Sequence, residues 1–191
     1  MLPRVPRSEL TVPRHFPSRP YLHDGELDLL VGLIASVNPE TVIEFGVNVG
    51  LTAQVLLKYV TSIKHYQGID VPWGFKTRLT GQQTEVPVNP GFLVQDDDRF
   101  ELILREEGST SLKLHDLRPC QAVWIDGDHS YDAVMSDAHL AYHLIQSPGI
   151  VVFHDYGNPT VEVTQALDDL AQFDCHSIRH IEGTWLAFEN F

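Results

Sequence analysis

The stretch Thr41-Val-Ile-Glu-Phe-Gly-Val-Asn-Val-Gly50 decides how the rest of the chain reads. Its first half, Thr41 to Phe45, is β-branched and apolar, the composition of a strand buried on both faces. Gly46 to Gly50 then predicts a tight turn, and Leu51 to Val60 carries helical spacing. A strand that breaks at glycine into a helix presents free N–H groups and a positive dipole end to a ligand. Gly46 permits backbone angles closed to other residues and lets a ligand approach the main chain. Glu44 lies at the strand's carboxyl end, where open α/β sheets bind ligands. A dinucleotide site would read Gly-x-Gly-x-x-Gly, but position 48 is Asn and position 51 is Leu, so that pattern fails. An acidic group beside the loop suits a cofactor bearing an ammonium group and suits a pyrophosphate badly.

At 191 residues the chain suits one domain with a sizeable core. Its 43% hydrophobic and 20% charged residues are ordinary for a soluble globular protein. The formal net charge of −13 argues against nucleic acid as a partner. Residues 1–22 run the other way, with Arg4, Arg7, Arg14 and Arg19 against Glu9 alone, and they contain five prolines. Proline fixes φ and lacks an N–H, so this segment reads as an extended arm, not as regular helix or central strand. Such an arm either trails free or crosses a site mouth or a partner subunit. With only Cys120 and Cys175, no disulfide framework is expected, and a reducing, cytoplasmic setting is the default. No signal-peptide core is read in the first residues, and no run is apolar enough to cross a bilayer.

Leu27, Leu30, Val31 and Ile34 mark an amphipathic helix from Asp24 to Val37, with Asp24 as its N-cap and Asn38-Pro39 at its end. His65 to Val71 predicts the second strand. It ends in Asp70, a carboxylate placed to accept both hydroxyls of a ribose. Residues 72–98 break the alternation with Pro72, Pro87, Pro90 and three glycines. They predict a long loop with a short helix around residues 75–79, either shaping an acceptor pocket or standing as a mobile insertion. Asp96-Asp97-Asp98 reads as a solvated acidic turn. Phe100 to Arg105 predicts the third strand, followed by the turn Glu106-Glu-Gly-Ser-Thr-Ser111.

Ala122-Val-Trp-Ile-Asp126 predicts the fourth strand, and Gly149-Ile-Val-Val-Phe153 the fifth, which runs into His154-Asp155-Tyr156. Between them lies a helix with a buried stripe at Tyr131, Val134, Ala138, Ala141 and Ile145. His139 and His143 lie one turn apart on its polar face and read as a solvated pair. If the fourth and fifth strands are neighbours, Asp126, His154 and Asp155 converge. Two carboxylates and an imidazole suit a hard divalent ion such as Mg²⁺ or Mn²⁺. The alternative is that Asp126 contacts a cofactor while the other two orient loops. His129, or Asp128 beside it, is the candidate base, because an imidazole takes a proton readily near neutral pH. Asn158-Pro159 predicts the cap and first turn of a helix through Leu170, and residues 175–181 and 184–188 predict two closing strands.

Glu44-x-Gly46-x-x-x-Gly50 after a first strand resembles the first motif of class I methyltransferases, which bind S-adenosylmethionine. Ile125-Asp-Gly-Asp-His-Ser-Tyr131 together with His154-Asp155 resembles a bacterial-type family of that class. It includes O-methyltransferases acting on sugars of natural products, some of them metal-dependent. The resemblance spans residues 40–170, roughly, and is specific for the superfamily and not for a substrate. It implies an α/β fold, a Rossmann-like three-layer sandwich with a mostly parallel seven-stranded sheet and an antiparallel last strand. Residues 23–191 would form it, with 1–22 as the arm and 72–98 as an acceptor-site lid. Cofactor contacts are implied at Glu44, Gly46, Asn48, Gly50, Asp70, Ser109 and Asp126, the ribose on Asp70 and the adenine against the turn at Ser109. A metal is implied on Asp126, His154 and Asp155, although His154 stands where an acid is often found, which leaves the ion's identity open. The reaction implied is O-methylation of a small-molecule acceptor with His129 as base, without nucleic acid or membrane as partner. A homo-oligomer stays open. Two rival readings also stay open: a non-catalytic module that binds the cofactor, and an oxidoreductase or hydroxylase-like enzyme on the same sheet.

Overall fold

Thr41–Phe45 (β2) is buried at every position, as its apolar run demands. His65–Asp70 (β3) and Cys120–Ile125 (β5) pair with it in parallel on either side. The computed structural model describes residues 1–17 and 21–191. Phe100–Leu104 (β4) extends the sheet beyond β3, and Ile145–Phe153 (β6) lies parallel to β5. Ala187–Asn190 (β8) returns antiparallel to β6, and Arg179–Ile181 (β7) pairs antiparallel with β8.

The sheet has eight strands where seven were expected. The eighth is Arg4–Val5 (β1) from the proline-rich arm, paired in parallel with β7 at the sheet's edge. An edge strand needs only one row of hydrogen bonds, so flanking prolines are compatible with it. Leu2 and Val5 are buried there. Arg19 and Pro20 of the arm lie outside the described residues.

Glu26–Ser36 (α1) and Leu51–Tyr59 (α2) cover one face of the sheet, packing on Val42, Tyr66, Trp124 and Val152. Tyr131–Leu144 (α3) and Val163–Phe173 (α4) cover the other, packing on Ile43, Ile69, Val123 and Val151. The result is a three-layer sandwich of the Rossmann-like kind. Strand order is β1-β7-β8-β6-β5-β2-β3-β4, so the chain winds one way from β2 and the other way from β5. That reversal opens a crevice at the carboxyl ends of β2 and β5, the usual ligand position.

Several element boundaries differ from the sequence reading. Gly25, not Asp24, caps α1, with φ of 81°. The short helix expected near residues 75–79 is a 3₁₀ turn at Thr80–Glu85. The last helix begins at Val163, not at Pro159. Asn158 instead donates to Asp155 Oδ1 at 2.6 Å while its own Oδ1 accepts from the Thr160 N–H and hydroxyl. In the acidic turn, Asp97 grips Arg99 with both carboxylate oxygens. His143 Nδ1 lies 2.7 Å from the His139 carbonyl, so this pair does not converge on a metal.

Candidate functional site

A cavity of about 370 Å³ opens at the carboxyl ends of β2, β3 and β5. Gly46, Asn48, Asp70, Ser109, Asp126, Asp128, His129, His154 and Asp155 all line it. Glu44 and Gly50 do not. The Glu44 side chain turns into the layer under α2, where Tyr66 donates a hydrogen bond to Oε2 at 2.9 Å. Burial pushes its carboxyl well above the usual range, against the Tyr66 bond, with the charges of Asp126 and Asp70 adding to the rise. Gly50 takes φ of 91° as the N-cap of α2. Gly46 is required by packing: the place of a Cβ there is already filled by the Asp126 backbone.

Asp70 has the environment expected of a ribose-binding acid. Its Oδ2 accepts from Asn48 N–H and its Oδ1 from Val71 N–H, each at 2.7 Å. Each oxygen keeps a lone pair for a ligand hydroxyl. Burial raises this carboxyl to about 6, with the backbone bonds opposing it. Asn48 holds φ of 51° in the turn, a left-handed conformation asparagine tolerates.

The acids and imidazoles of β5 and β6 converge as expected, because the two strands are neighbours in parallel register. His154 Nδ1 lies 3.1 Å from Asp126 Oδ1 and 3.2 Å from Asp155 Oδ2. His129 Nε2 lies 3.4 Å from the same two oxygens. Asp155 holds φ of 60°, strained for a non-glycine residue, and the Asn158 bond helps fix it. Burial disfavours every charge here. For Asp126 the neighbouring His154 and His129 outweigh it and hold the carboxyl down to about 2. For His154 the carboxylates outweigh it and hold the imidazole well above its ordinary value.

Two members of this group were not legible in the sequence. Glu26, wholly buried on α1, sits 3.2 Å from His154 Nε2 and also accepts from Trp185 N–H at 2.6 Å. An acid in a helix's first turn is so ordinary that nothing marked it. Gln82, from the 3₁₀ turn, accepts from His129 N–H at 3.0 Å and donates to the Gly127 carbonyl at 3.2 Å. Its amide nitrogen then faces His129 Nδ1 at 2.7 Å. With both amide ends fixed by backbone, the Gln82 nitrogen donates to Nδ1, which leaves the ring's N–H on Nε2, toward Asp126 and Asp155. Burial opposes a charge on this ring, but the two carboxylates outweigh it and raise the imidazole above its ordinary value. Asp128 Oδ1 accepts from Ser130 N–H at 2.8 Å and is engaged at the start of α3.

Asp126, His154 and Asp155 each offer a donor atom within 4.8 Å of the others. Two carboxylates and an imidazole whose far nitrogen is held by a buried carboxylate fit a divalent ion. The cavity also fits an adenosyl cofactor: Asp70 lines it, and so do Ser109 and Asp137, whose buried side-chain oxygens have no hydrogen-bond partner among the described residues.

Over residues 43–156 the chain matches the methyltransferase-domain family, and it belongs to that family. It is a class I methyltransferase that uses S-adenosylmethionine. Its fold resembles an S-adenosylhomocysteine-bound methyltransferase of Podospora anserina, with TM-score 0.63, 11% identity, and 87% of this chain and 77% of that one covered. It is also similar to the O-methyltransferase NovP, with TM-score 0.57 and 16% identity over 84% of this chain and 78% of that one. A TDP-rhamnose 3′-O-methyltransferase of calicheamicin biosynthesis gives TM-score 0.58 and 16% identity over 86% of this chain and 76% of that one. No curated protein sequence matches the chain. None of the described helices is long and apolar enough to cross a membrane.

Proposed function

We propose that this enzyme methylates a hydroxyl oxygen of a small polar molecule, aided by a divalent ion on Asp126, His154 and Asp155. The observation that carries this reading is the single cavity joining Asp70 to the Asp126–His129–His154–Asp155 group. Similarity in fold to two O-methyltransferases supports it. Bound S-adenosylmethionine supplies a sulfonium methyl whose carbon–sulfur bond breaks as the oxygen–carbon bond forms. The cavity's first task is alignment, which removes roughly 7–11 kcal/mol of barrier. A bound ion would lower the acceptor hydroxyl's pKa by several units.

The hydroxyl proton passes to Asp155, since Asp126, held down to about 2, is the poorer acceptor. His129, proposed from sequence as the base, is here a donor that orients the pair, because its Nδ1 accepts from Gln82 and its Nε2 already carries a proton. Residues 72–98 act as the acceptor-site lid, since Phe75, Arg78, Leu79 and Gln82 line the cavity. Tyr21, at the end of the arm, also reaches that mouth. A cytoplasmic workplace fits two free cysteines, and a homo-oligomer is compatible with this site.

The test is S-adenosylhomocysteine release, with and without Mg²⁺ or Mn²⁺, across a panel of hydroxylated small molecules that includes nucleotide sugars. Asp155→Asn should lower kcat about 10²–10⁴-fold. His129→Gln keeps a donor near the ring's Nε2 and should retain more activity than His129→Ala. Equal loss in both His129 variants would return the base to His129. In a thermal melt, Mg²⁺ or Mn²⁺ should raise the wild-type midpoint and leave Asp126→Asn unmoved. A shift that persists in Asp126→Asn would place the ion elsewhere.

A further inference from the structure

Asp137 on α3 is 1% exposed, yet it lines the cavity. Neither of its carboxylate oxygens has a hydrogen-bond partner among the described residues. The hydroxyl of Ser109, in the turn Ser109–Ser111 after β4, is also buried without a well-formed partner, although it is close enough to act on the Asp137 carboxyl. Buried polar groups are nearly always paired, and each one left unpaired costs stability. Two such groups side by side, facing one cavity, mark a place where a ligand supplies the missing partners.

The position within the cavity says which part of the ligand. Asp70 ends β3, and the Ser109 turn follows β4, the next strand outward. Phe45, Ile69, Val71 and Ala133 also line this cavity. Their apolar surfaces suit a flat ring attached to a ribose held by Asp70. Such a ring would bring its hydrogen-bonding edge to Asp137 and Ser109.

We propose that the Asp137 carboxyl, with the Ser109 hydroxyl beside it, reads the amino edge of the cofactor's adenine. This rests on S-adenosylmethionine being the cofactor. A protonated carboxyl is complementary to that edge: its carbonyl oxygen accepts from the 6-amino group and its O–H donates to N1. Burial favours this neutral form and pushes the Asp137 carboxyl up to about 8, with Ser109 opposing and the Asp128 charge adding to the rise. An asparagine offers the same donor and acceptor; a leucine of similar size offers neither.

The experiment is calorimetric titration of S-adenosylhomocysteine and of its analogue with purine in place of adenine, which lacks the 6-amino group. Wild type, Asp137→Asn and Asp137→Leu are compared. Wild type should prefer the amino-bearing ligand roughly 5–100-fold, the range for leaving a buried acceptor unpaired. Asp137→Asn should keep that preference and Asp137→Leu should lose it. Because leucine also removes an unpartnered buried polar group, it is expected to fold. The preference, unlike the affinity, is not moved by a general loss of packing. Wild type binding both ligands equally, or a preference surviving in Asp137→Leu, would overturn the assignment of Asp137. Wild type binding neither ligand would overturn the cofactor itself and this proposal with it.

Discussion

Asp70 and Glu44 are both acids at strand ends near the cofactor loop, and the structure gives them opposite work. Asp70 faces the cavity with its carboxyl raised to about 6, so as the proposed ribose acid it is ionised at neutral pH. Its charge is lost as pH falls through 6, and cofactor affinity should fall with it. Asp70→Asn should bind S-adenosylhomocysteine at least tenfold more weakly, from the loss of charge-assisted hydrogen bonds of about 1.5–3 kcal/mol. Calorimetry between pH 5 and pH 8 should show the wild-type slope vanish in that variant. Glu44 is sealed under the sheet, bonded to Tyr66, with its carboxyl raised well above the usual range. A raised carboxyl stabilises the fold fully below its unfolded pKa, and that contribution is lost as pH rises through the folded value. Glu44→Gln should therefore melt no lower than wild type, and relatively higher as pH rises above the ordinary carboxyl range. Glu44→Ala leaves a cavity and an orphaned Tyr66 hydroxyl, and should cost about 2–4 kcal/mol in chemical denaturation.

At the scale of elements, the strands that are apolar on both faces were readable because burial on two sides leaves no room for polar residues. The two cofactor-end turns and the convergence of β5 with β6 followed from that reading. What was not readable was contact made by distant segments. Glu26 reaches His154 across 128 residues of chain, and Gln82 reaches His129 across 47. Asp137 did leave a trace: it sits three residues after Val134 and four before Ala141, beside the apolar stripe of α3, where an acid is out of place. The arm was read as extended, but its pairing with β7 needed the partner strand. Removing residues 1–6 takes Leu2 and Val5 from the core. Two buried aliphatic side chains are worth about 3–6 kcal/mol as an upper estimate, so the truncated chain should melt several degrees lower. The 3₁₀ turn at Thr80–Glu85 is tied to the cavity through the Gln82 side chain and through the Glu85 carbonyl, which accepts from Asn48 Nδ2 at 2.9 Å. Gln82→Ala should speed amide hydrogen exchange in residues 77–87 while leaving β2 and β5 protected. Unchanged exchange in that segment would mean other contacts hold it.

The whole molecule carries a formal net charge of −13, and its ligand cavity is lined by more acids than bases. Low-dielectric walls focus such a field into the crevice. S-adenosylmethionine bears a sulfonium, an ammonium and a carboxylate, a net charge of about +1, whereas S-adenosylhomocysteine has lost the sulfonium charge and is neutral overall. The field should therefore favour the methyl donor over the spent product, and the transfer itself removes the charge that the cavity attracts. Screening tests this without altering a residue, since the Debye length shrinks from about 30 Å at 0.01 M salt to about 3 Å at 1 M. Raising the salt from 20 mM to 500 mM should weaken S-adenosylmethionine binding about threefold or more and leave S-adenosylhomocysteine nearly unmoved. If both ligands weaken alike, the sulfonium is held by its immediate contacts and the acidity of the molecule serves the surface alone. If only the donor weakens, the field of the whole protein helps exchange product for donor after each turnover.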